Sequence, residues 1–382
     1  MRRECDARPG LIFVEDPGAV NCVVPLVESM ARSAWPPALF AFGHAVEMLK
    51  DRGTPALQLG PGIDASSLIS TIHPRWVLVG TSENLDSFAF DLVAAAGEAG
   101  IPTVGIIDSA ANAANRFRGR SNAPLTHAPD RLLVPDEWTA NKFVQLGMPG
   151  ERLHVVGHPH HDHVTTVRVA LEREGRRSVR QRVLPQAAQA RTVLVFASEI
   201  STGLDPDQYL RSAAYTLHGS GSSQGRTEIV LEEFLSGVDS LAARGVERPY
   251  LVLRRHPKES AQDQAQHLSA FDLVSSGSGV LDLLYAADLV VGLSSMLLLE
   301  AHLLGISVVS ILPRDTERNW LPILRAGEVP VATSSGAVQA ALSAALAREP
   351  IGSADEGALQ DRVDTMSSTN RIVHLLSTLH PT

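Results

Sequence analysis

Short apolar runs alternate with longer amphipathic stretches along this chain of 382 residues. That alternation marks βαβ units and a parallel sheet. Leu11–Val14 (LIFV) reads as a first, fully buried strand. It breaks at Glu15-Asp16-Pro17-Gly18, and a helix is predicted from about Asn21 to Arg32. Further strands are predicted at Ala38–Ala41, Trp76–Gly80, Thr103–Ile107, Arg131–Val134 and Leu153–Val156, with helices at Phe88–Ala99 and Glu137–Leu146. From about Val164 to Ala190 the strand signal fades and arginines accumulate, among them Arg173, Arg176, Arg177, Arg180 and Arg182. The pattern restarts at Thr192–Phe196. It continues through a helix at Ile229–Ala242, a strand at Tyr250–Leu253, a helix at Leu281–Tyr285, a strand at Leu289–Gly292, a helix at Met296–Leu304 and a strand at Val308–Leu312. Gly219–Gly225 reads as a mobile Gly/Ser loop, and the tail from Ala358 as one or two final helices.

The predicted class is therefore α/β, with two Rossmann-like parallel-sheet domains facing across a cleft. Residues 1–165 form the first, 166–190 a linker, 191–355 the second, and 356–382 a helical tail. Ligands of such sheets sit beyond the carboxyl ends of the strands.

Composition narrows the function. The net charge of -9 argues against nucleic acid as the partner, because phosphate-backbone affinity needs clustered cations. Two cysteines, Cys5 and Cys22, give no disulfide framework and no cysteine-based zinc site. No targeting segment stands out after Met1, and Leu281–Leu312 is broken by Asp282, Asp288, Glu300 and His302, so a transmembrane span is not expected. The expected compartment is the reducing cytoplasm. The arginine run Arg168–Arg182 alternates with Glu172 and Glu174; it reads as a solvated helix face, with peripheral contact to acidic lipid as the other reading. Lysine is rare (Lys50, Lys142 and Lys258), and alanine and arginine are abundant, as in a GC-rich bacterial genome.

Four constellations carry chemistry. In the first, a strand ends at Gly292, a small turn Ser294-Ser295 follows, and a helix begins near Met296 with Glu300 on its second turn. Free amides and the helix dipole make that start an anion site, the plainer reading being an N-cap and a surface glutamate. The second is Arg254-Arg255-His256-Pro257-Lys258-Glu259 at a strand end, cations suited to a diphosphate; a solvated charged turn is the alternative. The third is Asp108 at the end of a strand, with Asn112 and Arg116 beyond it, a candidate general base. The fourth is Glu15-Asp16-Pro17-Gly18-Ala19-Val20-Asn21, where Asp16 or Glu15 would accept a proton, against a plain capping turn. His154, His158, His160, His161 and His163 read as a solvated set near the hinge, and no metal site is assigned. No Walker loop and no Gly-x-Gly-x-x-Gly element is present.

The run Ser294-Ser295 through Glu300-Ala301-His302-Leu303-Leu304-Gly305-Ile306-Ser307-Val308-Val309 resembles the donor-nucleotide element of GT-B glycosyltransferases, with Ser307 where proline is usual. The His256-Pro257 feature and Gly157-His158-Pro159 resemble elements of that fold, in nucleotide-sugar epimerases, CDP-glycerol-type polymerases and sialyltransferases. Asp108 through Phe117 and Val134–Pro159 resemble first-domain elements of surface-polysaccharide proteins of the same class.

The resemblance implies a GT-B glycosyltransferase that moves a sugar from a nucleotide-sugar donor to a carbohydrate or glycoconjugate acceptor. It needs neither metal nor cofactor. Arg254, His256, Lys258, Gly292, Ser294 and Ser295 would hold the diphosphate and Glu300 the ribose. Asp108, Asp16 or Glu15 would be the base, and Gly18, Asn21, Asn112 and Arg116 would face the acceptor. The alternatives are a nucleotide-sugar 2-epimerase or hydrolysing relative, and a non-catalytic nucleotide-binding module. Against epimerisation stand two departures. The epimerases carry His-x-Glu-Ala-Gly where this chain has Ile107-Asp108-Ser109-Ala110-Ala111, and Asn after His-Pro where it has Lys258.

Overall fold

A computed structural model describes residues 8–33, 35–60, 62–190, 192–201, 209–260, 262–347 and 367–381. Cys5, the charged start and the first part of the predicted tail lie outside the described residues. The chain divides into two compact units, one of residues up to His163 together with the end from Asp364, the other Val164–Val363.

Unit 1 holds a seven-stranded parallel sheet in the order β3-β2-β1-β4-β5-β6-β7. The strands are β1 Leu11–Val14, β2 Ala38–Ala41, β3 Leu57–Gln58, β4 Val77–Gly80, β5 Thr103–Ile106, β6 Arg131–Val134 and β7 Leu153–Val155. Interleaved helices are α1 Pro17–Met30, α2 His44–Asp51, α3 Ala65–Ile72, α4 Phe88–Glu98 and α5 Glu137–Gln145. All residues of β1 and β4 are buried, as uninterrupted apolar runs in a helix-covered parallel sheet must be. Trp76 fills the floor so closely that a Cβ on Gly10 would fall 2.1 Å from its ring. Helix α1 opens four residues earlier than predicted, because Pro17 supplies a preset φ at its first position.

Helices α6 Pro159–Glu174 and α7 Arg176–Val183 follow. Unit 2 is a six-stranded parallel sheet, β10-β9-β8-β11-β12-β13. Its elements run β8 Val193–Ala197, α8 Arg226–Ala243, β9 Tyr250–Arg254, β10 Leu273–Ser275, α9 Val280–Ala286, β11 Leu289–Gly292, α10 Met296–Leu303, β12 Ser307–Ile311, α11 Pro322–Arg325, β13 Val331–Ala332 and α12 Ser335–Ala347. The last helix, α13 Ser368–Ser377, belongs to unit 1 and packs on α1. Among the described residues, no helix is long and apolar enough to cross a membrane.

The arginine segment is not merely a solvated face. Arg180 and Arg176 reach Asp288 at 2.7 and 3.6 Å, and Arg182 bridges Glu174 and Asp282. Residues 219–225, read as mobile, are tied down. The Gly219 amide donates to Glu233 at 3.0 Å, and the Ser220 amide and Ser223 hydroxyl donate to Glu232.

Candidate functional site

In each sheet the first strand has later strands on both sides, so the connections leave a crevice where their direction reverses. In unit 1 it lies between β1 and β4, in unit 2 between β8 and β11.

Glu15 is the first residue past β1. It is 4% exposed, and its Oε1 has no hydrogen-bond partner. Burial pushes its carboxyl up from the ordinary value; Ser87, Ser82 and Asn84 oppose the shift, and Asp16 adds to it. Asp16 is the N-cap residue of α1, and its carbonyl accepts the Val20 amide at 3.1 Å. Asp108 lies two residues past β5. Its Oδ1 is 3.2 Å from Nη1 of Arg116, a buried guanidinium that also donates to the Ala111 carbonyl. Its Oδ2 rests over the first turn of α1, where a Cβ on Gly18 would come within 1.8 Å. Glu15, Asp16, Gly18, Asp108 and Arg116 therefore meet at one end of the sheet. Asn21 accepts from Arg52, and Asn112, in the left-handed region at φ 55°, donates to Glu83 at 2.8 Å.

The expectation of a solvated histidine set holds for the exposed His163 and is corrected for the rings ahead of it. His158 and His160 are buried, and His158 stacks on His161 with centroids 4.2 Å apart. The His160 amide donates to Nδ1 of His158, which leaves Nε2 as that ring's N–H. Nε2 lies 3.5 Å from Cys22 Sγ, and the ring hydrogen-bonds the Asp108 backbone. The rings pack largely against one another, His158 also against His160 at 6.3 Å. Among the described residues no group of three or more His, Cys, Asp or Glu is arranged to hold a metal.

In unit 2, Arg254 ends β9 and is 5% exposed. It donates to Ser275 Oγ at 3.1 Å and to the Gly277 carbonyl. Burial lowers its pKa and the field of Glu300 opposes this, so Glu300, buried on α10, faces Arg254. The His256 ring accepts the Lys258 amide on Nδ1 at 3.1 Å, and the His256 amide donates to Glu259 at 2.6 Å. That turn is thus fixed with Nε2 carrying the ring proton in the neutral form. Gly292 ends β11 close under the Ala197 carbonyl. Ser295 caps α10, accepting the Leu297 amide at 3.2 Å.

Ser294 leads to residues that sequence reasoning missed. Its amide donates to Glu199 Oε1 at 2.6 Å, and its hydroxyl accepts from Arg226 at 3.0 Å. Arg226, 1% exposed at the first position of α8, also binds Glu199 at 2.8 Å and the fully buried Glu317 at 2.5 Å. Arg314 closes the network on Glu317, and Trp320 lies under both guanidinium groups. Burial pulls the pKa of Arg226 down, but Glu199 and Glu317 more than offset it and keep the cation. One signal was available: arginine at a helix start opposes the dipole and demands carboxylate partners.

No family model matches the chain, and no curated protein matches it in sequence. Solved structures do. UDP-GlcNAc 2-epimerase from Methanocaldococcus jannaschii superposes with a TM-score of 0.61 at 14% identity, covering 97% of this chain and 99% of that one. The chain has the GT-B fold. UDP-GlcNAc 2-epimerase from Neisseria meningitidis, bound to UDP-GlcNAc, gives 0.59 at 13% identity over 88% and 90% of the two chains. Anabaena HepE, in complex with UDP and glucose, gives 0.61 at 13% over 97% and 99%. The glycosyltransferase expectation is corrected on this ground: the likeness runs to UDP-GlcNAc 2-epimerases, which favours the alternative. The physical reason is that both activities must hold a nucleotide diphosphate on the same frame. Nothing local at residues 254–258 or 292–300 distinguishes the two activities.

Proposed function

We propose that this chain is a nucleotide-sugar 2-epimerase or a hydrolysing relative acting on a UDP-N-acetylhexosamine. The observation that carries the reading is the near full-length likeness to solved UDP-GlcNAc 2-epimerases. Inverting C2 requires its hydrogen to leave one face and a proton to return on the other. That hydrogen is not acidic by itself. It becomes removable when the C2–H electron pair forms a C1=C2 bond as the C1–O bond to the diphosphate breaks. The nucleotide-holding half must therefore stabilise a departing diphosphate. Arg254, His256, Lys258 and the start of α10 at Ser294-Ser295 suit that task, with Glu300 toward the ribose. In unit 1, Asp108 is the proton acceptor. The sugar nucleotide is the substrate and no resident cofactor takes part. Asp108 stands within the stretch where the epimerases carry His-x-Glu-Ala-Gly, and Lys258 adds a cation after His-Pro.

The test is incubation with UDP-GlcNAc in D2O. Formation of the manno epimer with deuterium at C2, or release of UDP from the hydrolysing form, is expected. His256→Ala should lower turnover by about 100-fold or more. If UDP binds, yet neither epimer, free UDP nor deuterium uptake appears, the reading is wrong.

A further inference from the structure

Two carboxyls stand at the unit 1 crevice in opposite surroundings. Glu15 is closed in beside β4 and the start of α4, among the neutral groups of Ser82, Asn84 and Ser87. The charged group acting on it, Asp16, has its own sign. Its Oε1 is buried without a hydrogen-bond partner, at the carboxyl end of the strand where the sheet reverses direction. The side chains of Ser87, Ser82 and Asn84 hydrogen-bond the carboxyl, and its dry Oε1 at such a place is poised for a ligand. Asp108 is set differently. Arg116 on its own loop lies 3.2 Å away, Cys22 and the first turn of the fourteen-residue helix α1 lie against it, and His158 holds its backbone. A guanidinium and a helix start thus lie against the Asp108 carboxyl. Strand β4 separates β1 from β5, so the two chain positions are about 10 Å apart, two strand spacings. Asp108 then leans back over Gly18, three residues from Glu15.

We propose, resting on the epimerase reading, that Glu15 gives the sugar its new proton and Asp108 takes the old one. This reverses the role of base that its place after β1 suggested. Asp108 accepts the C2 proton while the C2–H pair becomes the C1=C2 bond and the C1–O pair leaves on the diphosphate. Glu15 then delivers its proton to the other face of C2 as a diphosphate oxygen rejoins C1. One proton leaves the sugar and one enters; Glu15 ends ionised, Asp108 ends protonated, and exchange with solvent restores both. Burial pushes the Glu15 carboxyl up from its ordinary value, the direction a proton donor needs.

Infrared difference spectra at neutral pH test this without turnover. The protein should show a neutral-carboxyl C=O band that vanishes in Glu15→Gln and persists in Asp108→Asn. In turnover, Glu15→Gln should lose about 100-fold in kcat together with the alkaline limb of the pH profile, and Asp108→Asn a similar factor in kcat. UDP binding by both variants, followed by thermal shift, should match the unaltered protein and shows that they are folded. Turnover without the band, or an alkaline limb that survives in Glu15→Gln, overturns the assignment of Glu15. The band without any turnover of UDP-GlcNAc overturns the epimerase reading instead, and the absence of both overturns the two together.

Discussion

Gly18 shows how one absent methyl group can set a carboxylate. A Cβ there would sit 1.8 Å from Asp108 Oδ2, a collision with the far end of a side chain rather than with backbone. Gly18→Ala should therefore cost the fold little while pushing Asp108 off the α1 start and straining its 3.2 Å contact with Arg116. A displacement of about 1 Å at a reacting group can cost on the order of 100-fold in rate. The expected result is a fall in kcat of that size with unchanged UDP affinity and a melting temperature close to that of the parent. Equal loss of stability and activity would contradict it. Glu15 and Asp108 were visible in the sequence because each follows an apolar run that ends abruptly. Their opposite surroundings were not, since Ser82, Asn84 and Ser87 reach Glu15 from far along the chain, and Arg116 meets Asp108 only through a folded loop.

At the scale of elements, legibility followed apolar continuity. Strands β1, β5 and β11 are buried along their whole length and announced themselves. Strand β3 did not, because Leu57 and Gln58 are both exposed and no apolar run marks them. The network of Glu199, Arg226, Ser294 and Glu317 draws on four separate stretches of the chain, so no local spacing encodes it. The start of α6 was misread in part for a related reason: a row of histidines looks polar, yet His158 and His160 are buried. Burial, then His161 and His160, holds the His158 pKa well below its ordinary value, and burial and His160 bring His161 down to about 3. Both rings are neutral in the fold, whereas the unfolded chain binds their protons below about pH 6.5. Folding stability from this element is thus present above pH 6.5 and falls as the solution is acidified toward pH 3. Each ring contributes a slope of up to about 1.4 kcal/mol per pH unit. Urea unfolding at pH 7, 6 and 5 should show this decline, made shallower by one proton in His161→Gln. An unchanged slope in that variant would refute the account.

At the scale of the molecule, the order of the chain and the order of packing part company. A helical tail was expected to follow the second half, and α13 does follow it in sequence, but it belongs to unit 1. Ile372, Leu376 and Leu379 are buried with Val20, Val23 and Met30 of α1. Polar ties fix the same placement. The Ser368 amide donates to Asp162 at 2.6 Å, Arg371 donates to the Val156 carbonyl at 2.9 Å, and Arg75 donates to the Leu379 carbonyl at 3.3 Å. Gly157 sits under this helix, where a Cβ would fall 2.3 Å from Ser368 Oγ, so the turn ahead of His158 and the end of the chain are packed as one piece. Sequence alone could not foresee the return, because an amphipathic helix declares that it has an apolar face and not which sheet it covers. Removing residues from Ser367 onward should therefore damage the unit that carries Glu15 and Asp108. Truncating Leu376 to Ala alone should cost about 2–5 kcal/mol, the usual range for a buried leucine. Hydrogen exchange read by mass spectrometry on Leu376→Ala should show protection falling in peptides of α1 and β1. Peptides of β8 and β11 should keep theirs, since the partners of α13 named above belong to unit 1. Equal loss in both sets of peptides would show that the helix supports the whole chain, and no loss in α1 would show that its apolar face is not what holds unit 1 together.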